Sequence, residues 1–302
     1  MWDLVTSQFS FTALWSPLFL AMTVVLSIVY LILVGPYSSR LFTNYVAIPW
    51  YRKLSFVAGL FAFYLGFGGP IYLISHLMFS FHMFKMAFVY FCAPPLLLIG
   101  TPAWMLRPLL HNRFVNTIMK KVLHPLVALF LFNLLLSLYH MPVVFDNLMA
   151  NYTWHITYQA ALFVAALLMW WYILTPVPEY DRLSEIKKIA YVFANGALLI
   201  PACALIIFAD HTIYTTYTDP NLWSTALGFC LPAGTVVSPH LFDMFNIMPP
   251  LEDQQLGGVV MKLTQELVFI IVLVHIFYNW VKKEKKVVDI SDFQRRPGYS
   301  GR

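Results

Sequence analysis

The sequence predicts an all-α, polytopic transmembrane helix bundle of seven spans, with the N-terminus outside and the C-terminus cytoplasmic. Three observations predict it. Of the 302 residues 60% are hydrophobic and 11% charged, which excludes an ordinary soluble domain. Seven apolar runs occur, at 17–35, 54–75, 76–98, 124–140, 154–175, 189–209 and 257–281. Each is near the roughly 20 residues a helix needs to cross about 30 Å of hydrocarbon. The connections, threaded in order, alternate in charge. One set (36–53, 99–123, 176–188 and the tail 282–302) holds seventeen Lys and Arg, among them Arg40, Arg52, Arg107, Lys121, Lys188 and Lys286. The other set (1–16, 70–75, 141–153 and 210–256) holds none, and carries Asp3, Asp146, Asp210, Asp219, Asp243, Glu252 and Asp253. Basic residues in short loops stay cytoplasmic. The chain therefore reads as one domain, 1–302, crossing the cytoplasmic (plasma) membrane several times.

The elements follow in order. No basic cluster precedes the first run and no small-residue cleavage site follows it, so it is a span and not a cleavable signal. Pro94-Pro95 is expected to end or kink the third helix, because proline lacks the N–H and crowds the preceding turn. The stretch 96–110, with Pro102, Trp104, Arg107 and Pro108, reads as interfacial, with Trp104 at headgroup level. In the outer loop 210–256 the apolar segment 222–237 is short for a span and is interrupted by Gly228, Pro232 and Gly234. An eighth span there would put the lysine-rich tail outside, so the segment reads as a re-entrant or surface-lying lid. The tail from Lys282 reads as a stop-transfer anchor, with a contact to anionic headgroups as the alternative. The net charge of +5 is the sum of a basic inner and an acidic outer face, not a nucleic-acid footprint.

The histidines are unevenly placed. His111 and His124 fall at the cytoplasmic interface and His275 in the inner part of the last span. His76, His82, His140, His155, His211 and His240 all map to the outer half. In the dense stretch 75–86, Met78, His82 and Met86 recur every four residues and form one helical stripe, beside Met83 and with Lys85 one turn from His82. Imidazole flanked by thioethers suits Cu(I), a soft ion. Met141, Met244 and Met248 add to that supply. The alternative is ordinary packing, with each histidine hydrogen-bonded across a helix pair. The candidate metal ligands are thus His76, His82, Met78, Met83, Met86, His140, His155 and His211.

The last run carries a second constellation, Asp253, Gly257, Gly258, Lys262 and Glu266. The glycines permit close backbone approach. Lys262 and Glu266, four apart, share a helix face. Ionisable groups inside a span mark a function or a satisfied polar network. They read either as an ion pair fixing the seventh helix against the third, where Lys85 lies at similar depth, or as groups tuning a metal site through hydrogen bonds. His155, Tyr158 and Gln159 share a face of the fifth span, which adds Gln159 to the polar set. Asp210-His211 is a metal ligand pair or a helix-terminal interface pair.

Cys92, Cys203 and Cys230 are scattered, without C-x-x-C or metal-ligand spacing, which disfavours a thiol-based metallochaperone. Only Cys230, in the outer loop, is placed to matter. Lys262 lies near the outer end of its span, and Lys85 stands where a carboxylate counter-ion would be wanted, so a retinal protein is disfavoured. No phosphate loop, G-x-S-x-G or H-E-x-x-H occurs, and a hydrolase is not expected.

The stretch from His76 through Phe81-His82-Met83 to Pro94-Pro95-Leu-Leu-Leu-Ile-Gly-Thr-Pro-Ala-Trp104, then Asp253-Gln-Gln-Leu-Gly-Gly258 and Met261-Lys262, resembles the CtaG family of Gram-positive bacteria. These are polytopic cytochrome c oxidase assembly factors, distinct from the single-span copper chaperone sharing that name. Leu14-Trp15-Ser16-Pro17 fits as well, so the likeness covers most of the chain. The resemblance implies a non-enzymatic role in forming an active haem–copper oxidase by supplying or inserting copper. It makes His76, His82, Asp253, Gly257, Gly258, Lys262 and Glu266 motif positions. The expected cargo is Cu(I), with haem as the alternative. Oxidase subunits, the lipid bilayer and a copper donor protein are the expected partners, and no nucleic acid. Two further readings stay open: a small-ion transporter using Lys85, Lys262 and Glu266, and a scaffold that only docks oxidase subunits.

Overall fold

The computed structural model describes residues 2–42, 45–117, 119, 124–232, 235, 237 and 240–295. Lys121 and Gly234 lie outside them, as do the side chains of His240 and Lys286. The described residues are helical throughout their ordered elements, with no strand among them. Five stretches are long and apolar enough to cross a membrane. They are α1 (Phe11–Val34), α2 (Trp50–Leu77), α3 (Phe79–Gly100), a later helix Glu185–Ile207 and the terminal Pro250–Lys285. Between them lie α4 (Pro125–Tyr139), α5 (Pro142–Met149) and α6 (Tyr152–Trp171). We number Glu185–Ile207 α7, the short helix Pro220–Gly228 α8, and the terminal helix α9.

Five such stretches are fewer than the seven expected. Two expected runs differ from the others for visible reasons. α4 has only 15 residues, and α5 continues from it after a bend of 76°, so the pair makes one broken span at most. α6 forms over the expected run, but His155, Thr157, Tyr158 and Gln159 near its start lower its apolar character.

Two local expectations are also corrected. The second helix, expected over 54–75 with its outer connection at 70–75, breaks instead at Gly68 and Gly69. It resumes at Pro70, which suits a first helical position where no N–H is needed, and runs to Leu77. The turn falls at Met78, in extended backbone, and His76 therefore belongs to α2 rather than to the third span. Pro94-Pro95 does not end α3. A π-helical turn, Phe88–Cys92, precedes the prolines, and the helix continues to Gly100. The carbonyl of Tyr90, whose regular partner would be the missing N–H of Pro94, accepts instead from Trp170 Nε1 of α6 at 2.9 Å.

α2 and α3 form an antiparallel hairpin. Ser55 Oγ donates to Leu96 O (2.8 Å) and Arg52 Nε to Ile99 O (2.7 Å), while Tyr30 of α1 donates to Gly100 O (2.6 Å). Trp104 is buried, its indole donating to Val46 O (3.1 Å) and its ring against Phe42 and Tyr45. α9 packs on α3 and α7 at once. Adjacent glycines allow this: a Cβ at Gly257 would lie 2.7 Å from Phe79 Cδ1, and one at Gly258 2.7 Å from Ile207 Cγ1. A buried amide pair, Asn133 Nδ2 to Asn195 Oδ1 at 2.8 Å, joins α4 to α7.

Charge segregates by end. At one end, Arg107 pairs with Glu179 (2.6 Å), Lys188 with Asp181 (2.7 Å), and Lys283 with Glu185. The opposite end, around Met78, holds His76, His82, His140 and His155. Its loop packs down on the bundle, as a lid would. Tyr214 donates to His140 O (2.7 Å), Tyr217 to Ser75 O (2.7 Å), and Trp223 Nε1 of α8 to Leu77 O (3.2 Å). Acids of this end fix the backbone. Asp146 accepts from the N–H of Thr215 and Thr216 (3.0 Å each), and Asp219 caps α8 through Asn221 N (2.8 Å).

Candidate functional site: a buried imidazole cluster

Four helices converge beneath that lid. His76 comes from the last turn of α2, His82 and Lys85 from the first turns of α3, His140 from the end of α4, and His155 from the start of α6. Each is at most 1% exposed. The rings of His76 and His155 lie 5.8 Å apart between centroids. His82 is stacked on Tyr139 at 5.8 Å and enclosed by Phe145 (5.1 Å) and Tyr217 (6.4 Å). His76, His140, His155 and Lys85 all stand within electrostatic reach of His82. Gln159 Nε2 joins the periphery by donating to the Tyr139 hydroxyl at 3.4 Å.

The polar atoms of this group are left short of partners. His76 Nε2, both nitrogens of His82, His140 Nε2, both nitrogens of His155 and Lys85 Nζ are buried without a hydrogen bond. Each such atom costs about 1–3 kcal/mol of desolvation. Two rings have a fixed tautomer. His76 Nδ1 donates to Tyr72 O (2.9 Å) and His140 Nδ1 to Leu136 O (2.7 Å). A carbonyl only accepts, so both Nδ1 atoms carry the proton and both Nε2 atoms keep a lone pair. This is the outer hydrogen bond that usually orients a metal-binding imidazole. Lys85 Nζ lies 5.3 Å from the centre of the Tyr72 ring, a cation–π contact.

Other expected ligands go elsewhere. Met78 faces a small pocket under the lid with Met248 and Trp223. Met83 lies against α9 at Gly257, and Met86 is buried in the core. His211 is 75% exposed and bonds Asp210 at 2.5 Å, which holds that carboxyl below its usual range. Asp253 accepts from the backbone of Phe79 and Ser80. Lys262 pairs with Glu266 (2.5 Å) and reaches Gln265 Oε1 (3.0 Å), turned toward α7 and not toward Lys85. Among the described residues, no three His, Cys, Asp or Glu side chains stand close enough to form a metal-holding group.

Tyr72 and Cys230 belong to the site although sequence reasoning gave them little weight. Tyr72 precedes His76 by one turn, a spacing that put it on the same face. Cys230 Sγ lies 3.1 Å from His76 Nδ1, across 154 residues of chain. Burial pushes its thiol up. Beside it a cleft of about 480 Å³ opens between α1, α2 and α6, lined by Phe19, Phe63, Phe67, Phe163, Tyr72 and Cys230 among others.

The fold and the site together define a polytopic helical membrane protein with a buried, donor-rich cluster of imidazoles at one end. The chain matches the sequence model of the cytochrome c oxidase caa3 assembly factor family (Caa3_CtaG) over residues 28–283, and it belongs to that family. Its setting is therefore the membrane, and cytochrome c oxidase is the partner its family assembles. No curated protein and no solved structure matches it.

Proposed function

We propose that the protein is a non-enzymatic assembly factor that holds Cu(I) among the buried imidazoles and passes it to a cytochrome c oxidase subunit. The observation carrying this reading is the set of free ring nitrogens on His76, His82, His140 and His155, buried where nothing in the chain satisfies them. Neutral imidazole nitrogen is a good donor for Cu(I), and nearby thioethers are soft enough to assist. The imidazoles are buried, each at most 1% exposed, which favours a bare ion over a hydrated one. Copper is cargo here, so exchangeable ligands serve better than a closed thiolate cage.

The topology belongs to the same proposal: seven spans in the cytoplasmic membrane, N-terminus and imidazoles outside, basic end and C-terminus inside. The support is the segregation of seventeen Lys and Arg into one set of connections. Copper would then be loaded from the outer side, by a donor protein, and delivered there.

The test is the metal and haem content of the detergent-purified protein, wild type beside His76→Ala/His82→Ala, with holo-oxidase formation measured in cells. Near-stoichiometric copper, lost in the double variant together with holo-oxidase while the factor stays inserted, is the expected result. Normal oxidase activity in the variant contradicts it. Haem is the second reading, favoured by the aromatic cleft beside His76. A Soret band in the purified protein would put it first.

A further inference from the structure

The basic end of the bundle holds a cavity that shares no residue with the imidazole site. It has a volume of about 550 Å³. Five stretches wall it: the start of α2, the end of α3, the segment after α6, the start of α7 and the later turns of α9. Part of the wall is apolar, from Leu98, Ile173, Leu174 and Ile276. The charged part sets Arg52, Lys188, Lys282 and Lys283 against Asp181 and Glu185. Both carboxylates are already matched: Lys188 bonds Asp181 at 2.7 Å, and Lys283 pairs with Glu185. Four cations against two anions leave a surplus of two positive charges, carried by Arg52 and Lys282. Neither pairs with an acid among the described residues.

We propose that this cavity binds an anionic phospholipid, its phosphate drawn to Arg52 and Lys282 and the first part of its acyl chains to the apolar wall. Arg52 is set in place for the task. Its Nε donates to Ile99 O (2.7 Å) and its Nη2 to Thr101 O (3.3 Å), both at the end of α3. Those bonds fix the plane of the guanidinium and leave Nη1 without an acceptor among the described residues. A planar guanidinium held this way matches the oxygens of a phosphate. The two halves of the wall are also ordered along α9. Lys282 lies six residues beyond Ile276, about 9 Å further along the helix axis, so charge and apolar surface follow one another as headgroup and chain do. A phosphate anion is common to lipid headgroups and free phosphate, and the apolar half of the wall selects the lipid. Basic pockets between membrane helices bind anionic headgroups by this combination. Because the wall is drawn from α2, α3, α7 and α9, a bound lipid ties together helix ends distant in sequence and should stabilise the bundle. The site stands apart from the copper reading, since it uses none of the imidazoles.

The experiment uses the full chain, purified in detergent and stripped of lipid, then mixed with phosphatidylglycerol, phosphatidylcholine or inorganic phosphate. Native mass spectrometry counts the bound lipid, and thermal unfolding is followed beside it. Phosphatidylglycerol should be retained as a discrete adduct and raise the unfolding midpoint, and phosphatidylcholine should do neither. Lys282 is exposed, so Lys282→Gln leaves the packing intact. It should weaken phosphatidylglycerol binding on the order of tenfold, the loss of one charge-assisted hydrogen bond. Lys285→Gln, on the same helix but outside the cavity wall, should bind as the wild type does. Equal retention of the two lipids overturns the proposal. So does equal loss in the two lysine variants, which would mean diffuse attraction to a basic surface. Stabilisation by inorganic phosphate in place of the lipid overturns the choice of ligand.

Discussion

Asp253 of α9 caps α3. Its Oδ2 accepts from Phe79 N at 2.7 Å and its Oδ1 from Ser80 N at 3.3 Å, joining residues 174 and 173 positions apart. The carboxylate thus satisfies two N–H groups at the first turn of the helix that carries His82 and Lys85. Asp253→Ala should lower stability by about 1–2 kcal/mol, as loss of a helix cap does, read as an earlier unfolding midpoint in detergent. Asp253→Asn keeps an acceptor oxygen and should recover most of that loss. Equal loss in both variants would mean that the cap geometry is not what matters.

The glycine pair of α9 gives a second expectation. Gly257→Ala must displace Phe79 and Met83, whose atoms lie 2.7 and 2.9 Å from the new Cβ, and Gly258→Ala must displace Ile207. Each should cost about 1–3 kcal/mol, typical of overpacking. Gly228→Ala, with nothing within 4 Å, is the neutral control. Thermal unfolding of the three variants side by side decides it, and a loss at Gly228 equal to the others would count against the packing argument.

Trp170 supports the π turn through its indole N–H on Tyr90 O. Trp170→Phe keeps a large ring but leaves that carbonyl unpaired in the bundle, at a cost of about 1–3 kcal/mol. Hydrogen exchange of the amides from 88 to 97 should rise in the variant relative to those of α7. Unchanged exchange there would show that the carbonyl finds another donor.

Lys262 and Glu266 test whether their pair is structural. Lys262→Met and Glu266→Leu each strand the other residue's charge in apolar surroundings, whereas Lys262→Met/Glu266→Leu removes both. The double variant should be more stable than the sum of the single losses predicts, by a coupling of about 0.5–3 kcal/mol. Oxidase assembly should survive in it. Loss of assembly in a stably folded double variant would instead favour an ion-relay role.

Much of the architecture is legible in local pattern. Apolar runs of span length locate the helices around 17–35, 54–75, 189–209 and 257–281, and alternating charge separates the two ends. Threading those runs puts His76, His82, His140, His155, His211 and His240 in one half, but which of them converge depends on helix rotations that the pattern does not encode; the structure gathers the first four. Other features depend on contacts that no local pattern encodes. Cys230 meets His76 over 154 residues, and Asp253 spends its carboxylate on the backbone of a distant helix. Pro94-Pro95 misleads because its missing donors are compensated from α6, by Trp170. Methionine periodicity misleads in a similar way. Met78, at the turn, faces the lid pocket, so a stripe drawn on an ideal helix loses its first member. Asn133 and Asn195 lie in apolar runs 62 positions apart, and only their pairing identifies them as a joint between helices.

The π turn at Phe88–Cys92 also makes this window of α3 tolerant of a change in chain length. Each residue of an α-helix advances the azimuth by about 100°, and an i→i+5 turn takes about one residue more than an α turn to come round. Excising a single residue there would restore an ordinary turn and leave Phe79–Ala87 and Ala93–Gly100 at nearly their present relative azimuth. A residue inserted or removed anywhere between Phe79 and Ala87 has no such turn to absorb it, and would swing part of that segment by about 100° with hydropathy and composition almost untouched. The register of the helix is thus buffered at one window and unforgiving in the half that carries His82 and Lys85.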